Sequence, residues 1–374
     1  MNKFLIPAIL ALLSGNGFAQ LQAGTAAVDI SPTVTPFQLR SGPSKYIHDP
    51  LHVRAVAFQN GEGRVVIALM DAIGVGRDMC DAAKAVVTKK TGWKPEEMLV
   101  SGTHTHTAPK GGDTSAGRIA YEKLRGEGLA KAMIQAIENL EPAKVGFASD
   151  EEASEVRNRR WYQKQESMRR NPWGDYDKVQ TNGGGAGNLI KPAGPIDPEV
   201  CVVDVRTARG KALGLIANYA LHYVGGIPKI VEEDGKIVGQ ASADYFGEFS
   251  KVMPYRVGGS NPPENFVAMM TNGASGDINN LPFTLVRAPR APFEQCRIVA
   301  NKTADAAWRA VKKIENYDSN PVIGTRVREI TLPYRSPTKA EVERAMELLE
   351  LSSKERNEIN SRSTSVANRA IEFS

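Results

Sequence analysis

Two histidines two residues apart are the clearest chemical signal in the sequence. His104 and His106 are two of only five histidines in 374 residues, and they lie together in one short segment. If this segment is extended, side chains two positions apart point to the same face, so both rings can reach one ion or one substrate atom. The spacing therefore predicts a chelating or catalytic pair. The alternative is a pair of exposed loop histidines without a partner.

A third histidine and an aspartate follow other apolar runs. His222 comes directly after the apolar segment 213–220. Neutral imidazole is the commonest protein ligand for zinc, and catalytic zinc usually has three protein ligands and an open position for water. We therefore expect His222 either to join the histidine pair at a zinc ion or to be a hydrogen-bonded structural histidine. Asp71 ends another apolar run, where it can support the site or cap the following helix.

Polar residues in two further places can complete a site. Residues 272–280, with the sequence Asn-Gly-Ala-Ser-Gly-Asp-Ile-Asn-Asn, follow an apolar strand. The amides of this run and Asp277 can line a pocket, and its glycines allow close backbone approach to a ligand, although a plain turn explains the run as well. Arg159 can hold an oxyanion, or it can be a solvated arginine.

The elements around these residues predict an α/β fold. Strands and helices alternate in no regular order, which indicates a mixed β-sheet flanked by helices, with active-site loops at the carboxyl ends of the strands. We expect a hairpin of strands 52–58 and 64–71, strands at 97–100, 143–148, 200–206, 213–220, 266–270 and 321–332, and helices at 78–90, 119–140, 244–253, 294–315 and 338–370. Between residues 155 and 195 we expect a long irregular excursion whose aromatic residues form ordered walls of a pocket.

The termini and the composition limit the class of protein. Residues 1–19 contain a lysine, an apolar run and small residues, which predicts a secretory signal peptide cleaved near Ala19 and a secreted or periplasmic protein. We expect residues 20–374 to form one catalytic domain without a transmembrane segment. The formal net charge of +5 is scattered along the chain, which argues against nucleic acid as a partner. Cys80, Cys201 and Cys296 allow at most one disulfide bond.

At several motifs the sequence resembles the catalytic domain of the neutral/alkaline non-lysosomal ceramidase family. The resemblance spans most of residues 24 to 330, and its most specific part is the segment with the two histidines. It is carried by Ser101-Gly-Thr-His-Thr-His-Thr-Ala-Pro109, Asn158-Arg159, Asn218-Tyr-Ala-Leu-His222, Ser242-Ala-Asp-Tyr245, Asn272-Gly-Ala-Ser-Gly-Asp-Ile-Asn279 and, more weakly, Asp49-Pro-Leu51.

The resemblance implies a zinc-dependent hydrolase that cleaves the N-acyl amide bond of ceramide or a related N-acyl lipid, with its substrate at a membrane surface. By position, it makes His104 and His222 zinc ligands, His106 a substrate-facing acid/base or hydrogen-bond donor, and Arg159 a contact for the substrate or the oxyanion. Asp277 and Asn279 complete the set of catalytic candidates. Zinc chemistry of this kind lowers the pKa of bound water and polarises the amide carbonyl.

The sequence departs from the family pattern at two points. The position of a nucleophilic serine in the family is Asn279 here. The family takes two more zinc ligands, a glutamate and a tyrosine, from sequence downstream of the helical segment 338–371, so we expect a catalytic domain that is incomplete at its C-terminus and holds zinc weakly. These departures favour one alternative, a catalytically degenerate ligand-binding protein. A second alternative, a metal-dependent ester hydrolase on the same scaffold, also fits two histidines, an aspartate and an asparagine around a pocket.

Overall fold

The computed structural model describes residues 20–109, 116–182, 186–286 and 288–373, and these residues form an α/β structure. The strands are β1 (Gln22–Asp29), β2 (Phe37–Leu39), β3 (Gly42–Ser44), β4 (His52–Asn60), β5 (Gly63–Met70), β6 (Met98–Gly102), β7 (Glu141–Glu151), β8 (Arg157–Asn158), β9 (Arg160–Gln163), β10 (Val179–Thr181), β11 (Leu189–Pro192), β12 (Glu199–Thr207), β13 (Ala212–Tyr219), β14 (Ile230–Val231), β15 (Ile237–Val238), β16 (Val267–Asn272) and β17 (Ile278–Asn279). The helices are α1 (Arg77–Thr91), α2 (Ala116–Glu138), α3 (Asp244–Gly258), α4 (Glu294–Lys312), α5 (Lys339–Glu350), α6 (Ser353–Ile359) and α7 (Ser363–Glu372). The signal peptide predicted at 1–19 lies outside the described residues.

Eight of these strands form one mixed sheet. Their order is β16-β13-β12-β7-β1-β4-β5-β6. Most neighbouring strands are antiparallel, but β5 pairs with β6 in parallel, and β13 pairs with β16 in parallel. The sheet with its flanking helices confirms the α/β fold class predicted from the sequence. Each half of the sheet thus contains one parallel pair, and the carboxyl ends of such pairs are the usual place for ligand sites.

The sheet bends in its middle, so that its two halves face each other. Strands β1 and β7 share only two residue pairs, which leaves room for the bend. Val56 and Leu69 from one half belong to the same buried cluster as Val267 and Met269 from the other half. The outer face of the first half is covered by α1 and α2, and that of the second half by α3 and α4. The result is a four-layer arrangement of helices, sheet, sheet and helices.

Most strands and helices predicted from the apolar patterns are present, and two predictions at the C-terminal side are wrong. Residues 321–332 pair with no neighbouring strand in the described chain, and Leu332 is exposed, because an alternating pattern makes a strand only where a partner edge is available. The single helix expected at 338–370 is three helices. Thr338 and Ser352 each begin a new helix by accepting a hydrogen bond from a backbone N–H three residues later.

The excursion between residues 155 and 195 is more regular than the sequence analysis expects. Strand β9 pairs with β10 on one side and with β11 on the other, forming a small antiparallel sheet. Strand β8 pairs with β17, which ties this region to the chain that follows β16. The Trp161 Nε1–H donates to the carbonyl oxygen of Asn158 at 2.9 Å. This region therefore lies beside the polar run 272–280.

The sequence analysis expects at most one disulfide bond and no transmembrane segment. The thiols of Cys80, Cys201 and Cys296 are all free, and Cys296 is buried. No helix among the described residues has the length and apolar character that crossing a membrane requires.

Candidate metal centre and active site

Three histidine rings converge where the two halves of the sheet meet. His104 and His106 follow β6, and His222 follows β13, so each half of the sheet supplies part of the cluster. One ring nitrogen from each histidine lies within 4.8 Å of the others. The two halves are joined at this point by Asn272, whose Nδ2–H donates to the carbonyl oxygen of Thr103 at 2.8 Å. The bend in the sheet therefore builds the cluster from segments that are far apart in sequence.

The hydrogen bonds made by the Nδ1 atoms of His104 and His222 leave on each Nε2 atom a lone pair that can bind a metal ion. His104 Nδ1 lies 2.7 Å from the carbonyl oxygen of Ile73, and His222 Nδ1 lies 2.9 Å from that of Ser275. Because a carbonyl oxygen only accepts, each Nδ1 carries the proton and each Nε2 has a lone pair. A ring that donates its second N–H to a carbonyl is the usual arrangement of a metal-binding histidine.

The spacing of the ring nitrogens also fits a metal ion. His104 Nε2 and His106 Nε2 are 3.2 Å apart, which is also hydrogen-bond distance, and His222 has a ring nitrogen within 4.8 Å of a ring nitrogen of each of them. Zinc–nitrogen bonds of about 2.0–2.1 Å in a tetrahedron place two ligand nitrogens about 3.3 Å from each other. The histidine cluster can therefore hold an ion such as zinc, and imidazole ligands also suit other transition metals.

The backbone at His104 adopts an uncommon conformation. Its φ angle is 67°, in the left-handed region that residues other than glycine rarely adopt. Two hydrogen bonds hold it there: the Thr103 N–H donates to the carbonyl oxygen of Met70, and the His104 N–H donates to that of Ala72. Backbone strain of this kind concentrates at functional sites. The end of β5 therefore fixes the position of the His104 ring.

The threonines that alternate with the histidines anchor the loop to the start of α3. The Thr105 and Thr107 hydroxyl groups both donate to the carbonyl oxygen of Ser242, at 2.9 Å and 3.0 Å. Thr105 is fully buried. The alternation therefore has a structural meaning, because the histidines of this segment join the cluster and the threonines hold the loop in place.

Asp244 anchors the segment that follows His222. Its carboxylate is 1% exposed and accepts hydrogen bonds from the backbone N–H groups of Val224, Gly225 and Tyr245. Burial raises the pKa of Asp244, and these three hydrogen bonds oppose the shift. The sequence analysis includes Asp244 in a motif but gives it no role. The role depends on a contact between residues about twenty positions apart, which local pattern does not reveal.

Tyr223 is a site residue that the sequence analysis misses. Its ring stacks on that of His106, with centroids 3.8 Å apart and an angle of 16° between the planes. This contact restricts the orientation of the His106 ring. The only signal in the sequence is that Tyr223 directly follows His222.

The electrostatic environment favours the uncharged forms of His106 and His222. Burial lowers the pKa of His106 to about 4, and the neighbouring His104, His222, Arg40 and Arg159 act in the same direction. Burial also lowers the pKa of His222, while its hydrogen bond to the Ser275 carbonyl opposes the shift. Because only the neutral ring binds a metal ion, these shifts favour metal binding.

Arg159 lies at the edge of the histidine cluster. Its Nε–H and Nη2–H both donate to the carbonyl oxygen of Gly276, at 3.1 Å and 2.6 Å. The guanidinium charge is close enough to lower the pKa of both His106 and His222. Nη1 of Arg159 forms no hydrogen bond with any described residue. Beside the cluster there is thus a cation with one donor group that has no hydrogen-bond partner among the described residues.

The other two candidates from the polar run have partners away from the histidines. The Asp277 carboxylate accepts from Asn158 Nδ2 at 3.1 Å. Asn279 is buried, and its Oδ1 accepts from the Leu281 N–H at 3.0 Å. Within the described residues, neither side chain forms a hydrogen bond with the histidine cluster. Asp277 lies next to Gly276, the residue that holds Arg159.

Asp71 neither caps a helix nor forms a hydrogen bond with the three residues of the histidine cluster. Its Oδ2 accepts from Arg54 Nη1 at 2.8 Å and from the His52 N–H at 2.9 Å. The N-cap of α1 is Gly76, without a side-chain hydrogen bond, so the helix-capping interpretation is wrong. The ion pair between Asp71 and Arg54 is buried between the two halves of the sheet.

The fold and the site together define a class: a four-layer α/β protein with a three-histidine cluster that can hold a metal ion. Two solved structures that match this architecture are described as ceramidases. The neutral ceramidase from Pseudomonas aeruginosa matches with a TM-score of 0.58 and 18% identity, covering 82% of this chain and 46% of that one. A ceramidase complexed with C2 matches with a TM-score of 0.60 and 16% identity, covering 82% of this chain and 45% of that one.

These likenesses show a neutral ceramidase-like fold. The chain spans about half the length of the solved ceramidases that it matches. No protein-family model matches the sequence, and no curated protein matches it.

Proposed function

We propose that the chain is an exported, zinc-dependent hydrolase that cleaves the N-acyl amide bond of ceramide or a related N-acyl lipid. In this proposal a signal peptide at 1–19 precedes one catalytic domain at 20–374. The observation that carries the proposal is the pair of Nδ1–carbonyl hydrogen bonds of His104 and His222, which leave both Nε2 atoms available on a ceramidase-like fold. Two such histidines from opposite halves of the sheet suit metal binding better than a purely structural role.

His104 and His222 would hold the ion through their Nε2 atoms. A zinc ion in such a site supplies a water of lowered pKa and polarises the amide carbonyl. His106, uncharged at neutral pH, accepts a proton at a ring nitrogen and returns it to the leaving amine, and its stacking on Tyr223 keeps the ring oriented. Arg159 donates from Nη1 to the carbonyl oxygen as negative charge develops there.

Asp277 and Asn279 take supporting roles in this proposal. The backbone N–H of Arg159 donates to the backbone carbonyl oxygen of Asp277. Asp277 therefore helps to position the guanidinium group of Arg159. Asn279 stands where the related family has a serine, and a buried amide is no nucleophile. The attacking group is therefore water rather than a side chain of the protein.

Zinc content of purified single-residue variants tests the division of roles. At equilibrium with zinc kept in the buffer, we expect His104→Ala and His222→Ala to lose more than about 90% of the zinc that the wild type binds, because each removes a ligand. His106→Ala should keep most of the zinc and lose turnover. The matched control is His48→Ala, since His48 is exposed and stacks on Phe293 outside the cluster. Wild-type zinc content in both ligand variants would refute the ligand assignment.

A substrate panel tests the reaction. We expect the zinc-loaded protein to release fatty acid from ceramide or another N-acyl lipid faster than from an ester of the same acyl chain. Faster release from the ester would replace the amidase with a metal-dependent ester hydrolase. Tight zinc binding without release from either compound would favour the ligand-binding alternative.

A further inference from the structure

A small pocket opens beside His106, and no residue of the polar run 272–280 lines it. It has a volume of about 250 Å³, and its lining includes Arg40, His106, Thr107, Ile227, Lys229 and Gln240. His106 is the one member of the histidine cluster that lines it. Pockets for whole ligands usually measure about 300–1,000 Å³, so this pocket suits one polar group of a larger substrate.

The charge of this pocket is one-sided. Arg40 and Lys229 line it, and none of the described residues that line it carries a carboxylate. Neither cation forms an ion pair or a hydrogen bond with any described residue. Glu232 is an acidic residue three positions after Lys229, but its carboxylate has other partners. Oε1 of Glu232 accepts a hydrogen bond from the Tyr46 hydroxyl and forms an ion pair with Lys45. The two positive charges therefore have no counter-charge within the described part of the protein.

Both cations line the same pocket as His106. The Gln240 Nε2–H donates to the carbonyl oxygen of Pro228, the residue before Lys229, and Gln240 also lines the pocket. A group bound between Arg40 and Lys229 would thus lie in the same pocket as His106.

We propose that this pocket is a subsite for an anionic group of the substrate, a carboxylate, phosphate or sulfate, which Arg40 and Lys229 bind together. The inference rests on the proposed amide hydrolysis and narrows its substrate class to N-acyl compounds with an acidic substituent near the amide. Arg40 presents a planar fork of donors that matches the oxygens of such groups, and Lys229 adds a point charge. The uncharged head group of ceramide would leave both cations without a partner.

Equilibrium binding to the metal-free protein tests the subsite without requiring turnover. The probes are octanoate, octyl phosphate and octanol, which share a chain length and differ in head group. We expect at least one anion to bind about tenfold more tightly than octanol in titration calorimetry, as expected for hydrogen bonds between charged groups. The Arg40→Gln/Lys229→Gln double variant should lose this preference. Lys236→Gln is the control, because it removes an exposed cation from the neighbouring hairpin outside the pocket.

The outcomes separate the subsite from the reaction. Preference for octyl phosphate or for octanoate identifies the kind of anion. Equal binding of all three probes, or an anion preference that survives in the double variant, overturns the subsite. Hydrolysis of N-lauroylglycine and its uncharged counterpart N-lauroylethanolamine is then measured with the zinc-loaded protein. No turnover of either compound, together with intact anion preference, counts against the proposed reaction and leaves the anion site standing.

Discussion

The two loops that carry the histidines are held in place by different means. The loop after β6 is fixed by several interactions: two backbone hydrogen bonds to the end of β5, and two threonine hydroxyl groups that share the Ser242 carbonyl oxygen. In the loop after β13, one buried carboxylate, that of Asp244, accepts hydrogen bonds from two backbone N–H groups of the segment that follows His222. We call the several hydrogen bonds of the first loop a distributed, neutral anchor, and the single carboxylate of the second loop a concentrated, charged anchor.

This difference determines where the site is vulnerable. A distributed anchor loses only part of its strength when one group is removed, because the remaining hydrogen bonds still satisfy the shared acceptor. A concentrated anchor leaves several buried donors without partners at once, and each such donor costs free energy. The loop of His222 should therefore be the more sensitive half of the site, although its histidine lies in ordinary backbone geometry and His104 does not.

The largest effect is expected for Asp244→Ala. Three backbone N–H groups lose their acceptor in a buried position, and we expect the free energy of unfolding to fall by about 3 kcal/mol in urea denaturation. The affinity for zinc should also fall, since the segment after His222 loses its anchor. Asp234→Ala is the control: its exposed carboxylate accepts one backbone N–H in a turn, so its effect should stay within about 0.5 kcal/mol. A similar loss in both variants would contradict the concentrated anchor.

Much of the fold can be predicted from the sequence, because the patterns that indicate single strands, turns and helix ends are local. The hairpin of β4 and β5 follows from two β-rich runs around a Gly-containing turn, and α1 ends at Gly92 in the left-handed conformation that glycine favours. The bend of the sheet is different. It depends on which strands become neighbours and on the short pairing of β1 with β7, and apolar periodicity carries no information on pairing order.

The same distinction applies to the site. The spacing of His104 and His106 is visible in the sequence because both lie on one loop. The pairing of Ser242 with two threonines, and of Asp244 with the chain after His222, joins segments far apart in the sequence. Arg40 and Lys229 carry no local signal at all, since each is a single cation in a polar segment. Their meaning appears only when the fold brings both to one pocket.

A double-mutant cycle examines the distributed anchor. Thr105→Val and Thr107→Val each remove one hydroxyl donor, and either change alone should cost about 1 kcal/mol of unfolding free energy, because the other hydroxyl still satisfies the Ser242 carbonyl oxygen. The double variant leaves that buried oxygen without a partner, so its cost should exceed the sum of the single costs by about 1 kcal/mol. Strictly additive costs would mean that the two threonines do not share the acceptor.

The smallest predicted effect is a pH dependence that belongs to the concentrated anchor alone. Because burial raises the pKa of Asp244 in the folded protein, this carboxyl group contributes stability that is fully present below its unfolded pKa of about 3.9 and is lost as the pH rises through the folded pKa. An amide in place of this carboxyl group has no such titration. We therefore expect Asp244→Asn to be more destabilising, relative to the wild type, at about pH 4.5 than at about pH 7.5.

The comparison uses urea denaturation of metal-free protein, so that zinc binding does not contribute. Asp49, which acts on Asp244 electrostatically, and the nearby thiol of Cys296 are present in both proteins. Thr105→Val should lower the free energy of unfolding by the same amount at both pH values, because a hydroxyl group does not titrate in this range. If Asp244→Asn lowers the free energy of unfolding by the same amount at both pH values, then burial does not raise the pKa of Asp244 in the folded protein. The contrast between a charged and a neutral anchor would then fail.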